Sequence, residues 1–247
     1  GPLSGLKVLD IAEGVAGPFC AKLLGDLGAD VIKVEPPGGD VSRTYGPFPD
    51  NTPDPERSAS FFYFNTSKRS IVIDRRTATG RATLQDLVAT HDIVIAGESN
   101  EQLAADDLSV ETFMTWNPRI ILTTISGFGS FGPYSSYEHS HLINCATGGW
   151  AHLCGIPDKE PLQAGGAISE TLTGAFAAVA TLLAARGRKA HGHGEHVDVS
   201  AQEAVLAGAQ MPTLLYEYKG IVPGRYSNVG AGAGIALMLN TDDGYIG

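Results

Sequence analysis

Ala16-Gly17-Pro18-Phe19, followed by Leu27-Gly28-Ala29-Asp30-Val31-Ile32-Lys33-Val34-Glu35-Pro36-Pro37-Gly38-Gly39-Asp40, reads as a turn opening a helix, a helix stop, a buried strand and a second glycine loop. Phe19, Leu23, Leu24 and Leu27 recur at helical spacing between Gly14 and Leu27, and Gly28 ends the pattern. Upstream, Lys7-Val8-Leu9-Asp10-Ile11 is a short strand run, so the three pieces form a βαβ unit. Its two glycine-bearing turns fall at one edge of a sheet, and such edges are where open α/β sheets bind ligands.

Downstream, residues 36–60 are rich in Pro, Gly, Asp and Ser and predict a long surface loop. A polar turn, Asn65-Thr66-Ser67-Lys68-Arg69, separates Phe61–Phe64 from a strand at Ser70–Asp74. Thr77–Thr90 carries Leu84, Leu87 and Val88 on one helical face, Asp92–Ala96 is a strand, and Leu108–Trp116 is a helix ended by Asn117-Pro118. Arg119–Ile125 is a further strand. Alternating strands and helices predict a mostly parallel sheet with right-handed crossovers. Beyond residue 139, helices are expected at His141–Cys154, Ile168–Arg186 and Ser200–Leu215, with a glycine-histidine turn at Gly187–His196 and a short strand at Glu195–Ser200. A Gly-rich loop at 220–234 precedes a hairpin of Ile235–Leu239 and Tyr245-Ile246 around Asp242-Asp243-Gly244. The expected division is a Rossmann-like large domain at 1–200 and, at 201–247, a linking helix and the start of a small α+β domain of a longer polypeptide.

The chain has 247 residues, 43% of them apolar, enough to bury a large core. A net charge of −10 argues against a nucleic-acid surface, which needs a basic patch. Cys20, Cys145 and Cys154 lack CxxC spacing and are too few for a disulfide framework, so buried thiols of a reduced, cytoplasmic protein are expected. The sequence reading finds no apolar run of membrane-spanning length and no signal pattern.

The ordered set of motifs resembles the class III CoA-transferases, the CaiB/BaiF family, which also includes α-methylacyl-CoA racemases. The resemblance rests on Pro2–Asp10, Ala16-Gly17-Pro18, Gly28–Asp40, Asn65–Ile71, Asn117-Pro118-Arg119, Ser126-Gly127-Phe128-Gly129, Gly132-Pro133-Tyr134 and Gly192–Ser200. It implies a CaiB/BaiF fold in an interlocked dimer, either a homodimer or a heterodimer with a homologous subunit. The implied substrates are an acyl-CoA and a carboxylic acid, with CoA moved between acids. It also implies that Val15, Ala16 and Gly17 approach CoA, that Arg43 lies near its nucleotide, and that Lys68 and Arg69 follow a pocket-lining turn. Glycine lets backbone amides come close to a ligand, and Arg or Lys pairs with phosphate.

Two departures from the family pattern stand out. After Asp92-Ile93-Val94-Ile95 the family's Asn-Phe and Pro-Gly turn is replaced by Ala96-Gly97-Glu98-Ser99-Asn100-Glu101, which brings two acids towards an expected polyanion. Counting from Gly132-Pro133, and back from Gly148-Gly149, the transferases' catalytic Asp position falls on His141. That Asp forms an acyl-enzyme anhydride and then a CoA thioester, covalent catalysis that imidazole cannot repeat. By the same count the racemases' Asp corresponds to Glu170 and their His to Ser140, next to His141. Three readings follow: a CoA-transferase, a non-catalytic subunit of a heteromeric transferase, or racemase-like proton transfer by His141 and Glu170. A hydrogen-bonded structural histidine and a helix-start Glu are the structural alternative. His191, His193 and His196 at a glycine turn are expected to hold no metal, since no Cys or carboxylate ligand follows at matching spacing.

Overall fold

In a computed structural model that describes residues 1–156, 158–225 and 239–246, six parallel strands form one sheet in the order β3-β2-β1-β4-β5-β6. The strands are β1 (Lys7–Asp10), β2 (Asp30–Glu35), β3 (Lys68–Val72), β4 (Ile93–Ala96), β5 (Ile121–Ser126) and β6 (Glu195–Ser200). The helices between them are α1 (Ala16–Asp26), α2 (Ala59–Phe64), α3 (Ala78–Thr90), α4 (Asn100–Ala105), α5 (Val110–Trp116), α6 (His141–Thr147), α7 (Trp150–Leu153) and α8 (Ile168–His191). α9 (Ala201–Gly208) and α10 (Gln210–Lys219) follow, and β7 (Leu239–Thr241) pairs with β8 (Gly244–Ile246) in an antiparallel hairpin. Residues 226–238, on which much of the expected glycine loop and the start of the hairpin fall, lie outside the described residues.

The centre of the sheet is apolar because both of its faces are covered. β4 and β5 are buried along their whole length. On one face Val8, Ile93, Ile95 and Ile121 pack on α1 and α8; on the other Leu9, Val94 and Leu122 pack on the α3–α5 layer, which contributes Phe113 from α5. Chain order reverses between β1 and β4, so the crevice at their carboxyl ends is the topological switch point.

Several elements differ from the sequence reading. The run Ala96–Glu101 does not stay a loop: Ser99 and Gln102 form a reciprocal capping box that starts α4. Gly148-Gly149 splits the helix expected over His141–Cys154, since Gly149 takes φ 84°. α8 runs on to His191 and satisfies, by length and composition, the test for a membrane span that the sequence reading found unmet. In this fold its small-residue face, including Thr173, Gly174, Ala177, Thr181 and Ala185, is buried against α1, β5 and β6. The expected boundary at 200/201 falls between β6 and α9, and α9 packs back on α8 and α6 through Ala201, Ala204 and Val205.

Candidate active site

Four charged side chains, all 2% exposed or less, shape the switch-point crevice. Lys33 lies 2.7 Å from Asp40 and 3.6 Å from Asp10, and donates to Ala12 O at 2.8 Å. Lys68 donates to Asp10, Pro18 O and Asn65 Oδ1, each at 2.8 Å. Asp40 in turn accepts from Gly14 N and Ser42 N, and Asp10 accepts from Ala12 N. The network therefore fixes the β1–α1 turn and the loop after β2 in one arrangement. Burial works against the charge on both lysines. For Lys33 the neighbouring Asp10 and Asp40 outweigh it and raise the pKa; for Lys68 burial prevails and the pKa falls.

This arrangement gives the expected CoA-binding residues different surroundings. Lys68 is held inside the network. Arg69 pairs with Asp30 in the open, at the amino ends of the strands, away from the switch-point crevice. Arg43 binds Glu35 through two nitrogens at 2.7 and 2.9 Å and lies 3.7 Å over the Phe61 ring, tying the 36–60 loop to β2. Gly17 is needed for packing, since a Cβ there would sit 2.2 Å from Ala12 Cβ. Val15, Ala16 and Gly17 do open α1 at the crevice. No side chain caps that helix, so its first amides remain donors for an anion.

Beside this turn, a cavity of about 310 Å3 is lined by Ile11, Glu13, Pro36, Pro37, Arg75 and Arg76. Arg75 pairs with Glu98 and lies 3.5 Å from Asp106, so one of the two acids in the departing turn is neutralised inside the protein. Arg76 is largely exposed, and burial raises the pKa of Glu13. The sequence reading missed Arg75 and Arg76. Their readable signal was a doubled Arg just past the carboxyl end of a strand.

Glu170 and His141 meet at the same edge, although 28 residues separate them and they lie on different helices. His141 is the first residue of α6, after the Ser140 cap; Glu170 lies in the first turn of α8, where the helix dipole favours a carboxylate. His141 Nδ1 lies 2.9 Å from Glu170 Oε2 and 2.9 Å from Ser169 Oγ, which itself donates to Oε2. His141 Nε2 faces Ala164 O at 2.9 Å. A carbonyl only accepts, so His141 meets Ala164 O as a donor through Nε2. Among the described residues Oε2 takes both hydrogen bonds and Oε1 takes none, which leaves one carboxylate oxygen free.

α8 is seated against α1 by a close approach at Gly174, where a Cβ would fall 2.5 Å from Ala16 O. One turn after Glu170, this contact brings the pair to the start of α1. Burial, then the charges of Asp40, Glu170 and Glu13, raises the pKa of Tyr45.

The sequence profile of CoA-transferase family III matches residues 3–247. A succinate–glutarate CoA-transferase of Agrobacterium fabrum is 36% identical over 99% of this chain and 62% of its own length. The beta subunit of a succinyl-CoA–L-malate CoA-transferase of Chloroflexus aurantiacus is 34% identical over 83% of the chain and 50% of its own. The crystal structure of a CAIB/BAIF family protein from Brucella suis superposes with a TM-score of 0.89 at 35% identity, covering 99% of this chain and 65% of that one. The chain thus spans about three fifths of the length of such relatives. It belongs to CoA-transferase family III.

Proposed function

We propose that the polypeptide carrying this chain transfers CoA between carboxylic acids, with Glu170 as the carboxylate that is acylated and His141 as the group that holds it. The observation that carries the reading is the Glu170 carboxylate at the switch-point crevice, one oxygen bound by His141 and Ser169 and the other free. In the sequence count an imidazole stands at 141 where transferases carry a carboxylate. In the folded pair the carboxylate comes from the partner residue.

The steps balance as follows. Glu170 Oε1 attacks the thioester carbonyl of an acyl-CoA, the C–S bond breaks, and CoA thiolate leaves with an acyl-glutamyl anhydride formed. The thiolate then attacks the Glu170 carbonyl, releasing the first acid and leaving a glutamyl-CoA thioester. A second acid attacks that thioester, and the same two steps in reverse deliver the new acyl-CoA and free Glu170. No proton is consumed, so His141 serves to orient Oε2. The uncapped start of α1 and the Arg75–Arg76 cavity suit the polar chain and nucleotide of CoA.

Relatives are named for succinate, glutarate, D-citramalate, oxalate and L-malate, all dicarboxylic acids, which supports a short dicarboxylate as the acid here. Relatives named as alpha and beta subunits support a dimer with a homologous chain, identical or not. The racemase-like reading has less support. An acid and a base acting across an α-carbon need that carbon between them, and His141 and Glu170 are 2.9 Å apart. The test uses the full-length polypeptide: incubation with succinyl-CoA, trapping with hydroxylamine, and peptide mass analysis. The expected adduct maps to Glu170, and Glu170→Gln lowers transfer by more than about a thousandfold. An adduct elsewhere, or a Glu170→Gln variant that keeps its activity, overturns the assignment. Failure of every acyl-CoA to react with either form supports the non-catalytic subunit instead.

A further inference from the structure

At the opposite end of α8 from Glu170, His191, His193 and Glu195 draw together where the helix ends and β6 begins. We propose that these three side chains form a binding site for a divalent transition-metal ion of the zinc, nickel and copper class. The sequence reading grouped His191, His193 and His196 and lacked a carboxylate. The fold changes that set. Neighbouring residues of a strand face opposite ways, so His196 turns to Thr124, its Nε2 2.9 Å from Oγ1, and Glu195 takes its place beside the other two.

The geometry is close to what a metal requires. His191 Nε2 lies 2.9 Å from Glu195 Oε1, the two histidine rings stack with centroids 3.8 Å apart, and one ligand atom from each of the three lies within 4.8 Å of the others. Zinc bonds of about 2.0–2.2 Å place neighbouring ligand atoms of a tetrahedron about 3.4 Å apart. The widest separation closes by at most about 1.4 Å and the His191–Glu195 pair opens by about half an ångström, and His191 and His193 are exposed.

Two further features favour a cation. A Cβ on Gly187 would lie 3.1 Å from His191 Nε2, so the absence of a side chain there keeps the approach open. The carbonyl end of α8 also presents the negative pole of a 24-residue helix. The cations of the last turns are turned away: Arg188 binds Asp92, while Arg186 and Lys189 line a groove with Leu3 and Leu6. Two imidazoles and one carboxylate suit zinc, nickel or copper and not calcium or magnesium, which take oxygen ligands. On binding, the metal takes a lone pair from each imidazole and from the Glu195 carboxylate, any proton on those atoms passes to solvent, and water completes the coordination. α8 separates this ion from Glu170 by about 30 Å, so it joins the helix end to β6 and takes no part in catalysis.

The experiment uses tag-free, chelator-washed protein titrated with Zn2+ by calorimetry, with thermal unfolding in parallel. One equivalent binds to the wild type and raises Tm. In His191→Gln/His193→Gln and in Glu195→Gln, affinity falls at least about tenfold and the Tm rise shrinks, with metal-free Tm and circular dichroism unchanged. Substitution by Cu2+ gives an electron paramagnetic resonance spectrum with two coordinated nitrogens. Equal affinity in the double variant, or no stoichiometric binding by the wild type, overturns the site. If the double variant is itself destabilised, Glu195→Gln and the Cu2+ nitrogen count decide the matter.

Discussion

Replacing Lys33 with Met tests whether the buried charge network is what holds the crevice in shape. Lys33 is 1% exposed, and Met keeps most of its aliphatic volume, so the substitution removes charge and donors with little cavity. Asp10 keeps Lys68 at 2.8 Å. Asp40 keeps three hydrogen bonds on Oδ1 but loses the cation 2.7 Å from Oδ2, and Ala12 O loses its donor. A buried carboxylate is left uncompensated, and breaking such a pair from one side costs about 3–5 kcal/mol. For a domain of this size that is a fall in Tm of roughly 6–20 °C. The decisive control is Lys33→Met/Asp40→Asn. Removing the orphaned charge restores a large part of the loss, giving a coupling of about 2 kcal/mol or more in a double-mutant cycle read by urea unfolding. A loss below about 1 kcal/mol in the single variant, or no recovery in the double, refutes the view that Lys33 is a structural cation.

Other outcomes follow from single contacts. Burial tends to raise the Glu35 pKa, but hydrogen bonds from Arg43, Ser70 and Asp40 N hold it at about 2. The folded value lies below the unfolded one, so Glu35 contributes up to about 3 kcal/mol above pH ~4.5, lost as pH falls towards 2. Urea unfolding of Glu35→Gln is therefore expected to show its largest deficit at pH 7 and a smaller one at pH 3; an equal deficit at both contradicts this. Gly174→Ala forces a Cβ to within 2.5 Å of Ala16 O, and should cost about 1–3 kcal/mol while lowering kcat, because it moves Glu170 away from α1. If Tm and kcat both stay at wild-type values, the close seating of α8 is not what places the pair. Arg76→Ala, at a largely exposed position on the cavity wall, should raise KM for acyl-CoA several-fold in a salt-dependent way with Tm unchanged; an unchanged KM removes the cavity from the nucleotide site.

The sheet was legible because its strands are short apolar runs between glycine and proline punctuation, and a parallel sheet covered on both faces leaves that trace. α4 was legible in principle, since Ser99 and Gln102 stand at capping-box spacing. It was missed because the departing turn was read for its charge and not for its caps. Val15–Gly17 open α1 at the switch-point crevice, but the use of Gly17 was not legible: only the fold shows Ala12 in the space its side chain would fill. Lys68 and Arg43 could not be assigned from sequence, because their carboxylate partners, Asp10 and Glu35, lie on other strands 58 and 8 residues away. His141 and Glu170 were both singled out, but their contact depends on how α6 and α8 pack, which no local pattern encodes.

The cations nearest the glycine turns are the obvious phosphate ligands by sequence, yet the fold uses them against carboxylates. Lys33 and Lys68 are buried with Asp10 and Asp40, and Arg43 is bound twice to Glu35. On the proposed function, a chain of net charge −10 must then supply its attraction for CoA from other groups. Among the described residues two sources remain at the crevice: the uncapped amides that open α1, and the largely exposed Arg76 on the cavity wall. The amides cannot be tuned by single charges, but their position is set by Lys33 holding Ala12 O and by Asp40 holding Gly14 N. Neutralising Lys33 should thus weaken acyl-CoA binding without removing any group that touches the ligand, whereas changing Arg76 weakens it directly. On the proposed function, the buried lysines would act on acyl-CoA only through the shape of the β1–α1 turn, since their charges are held by Asp10 and Asp40.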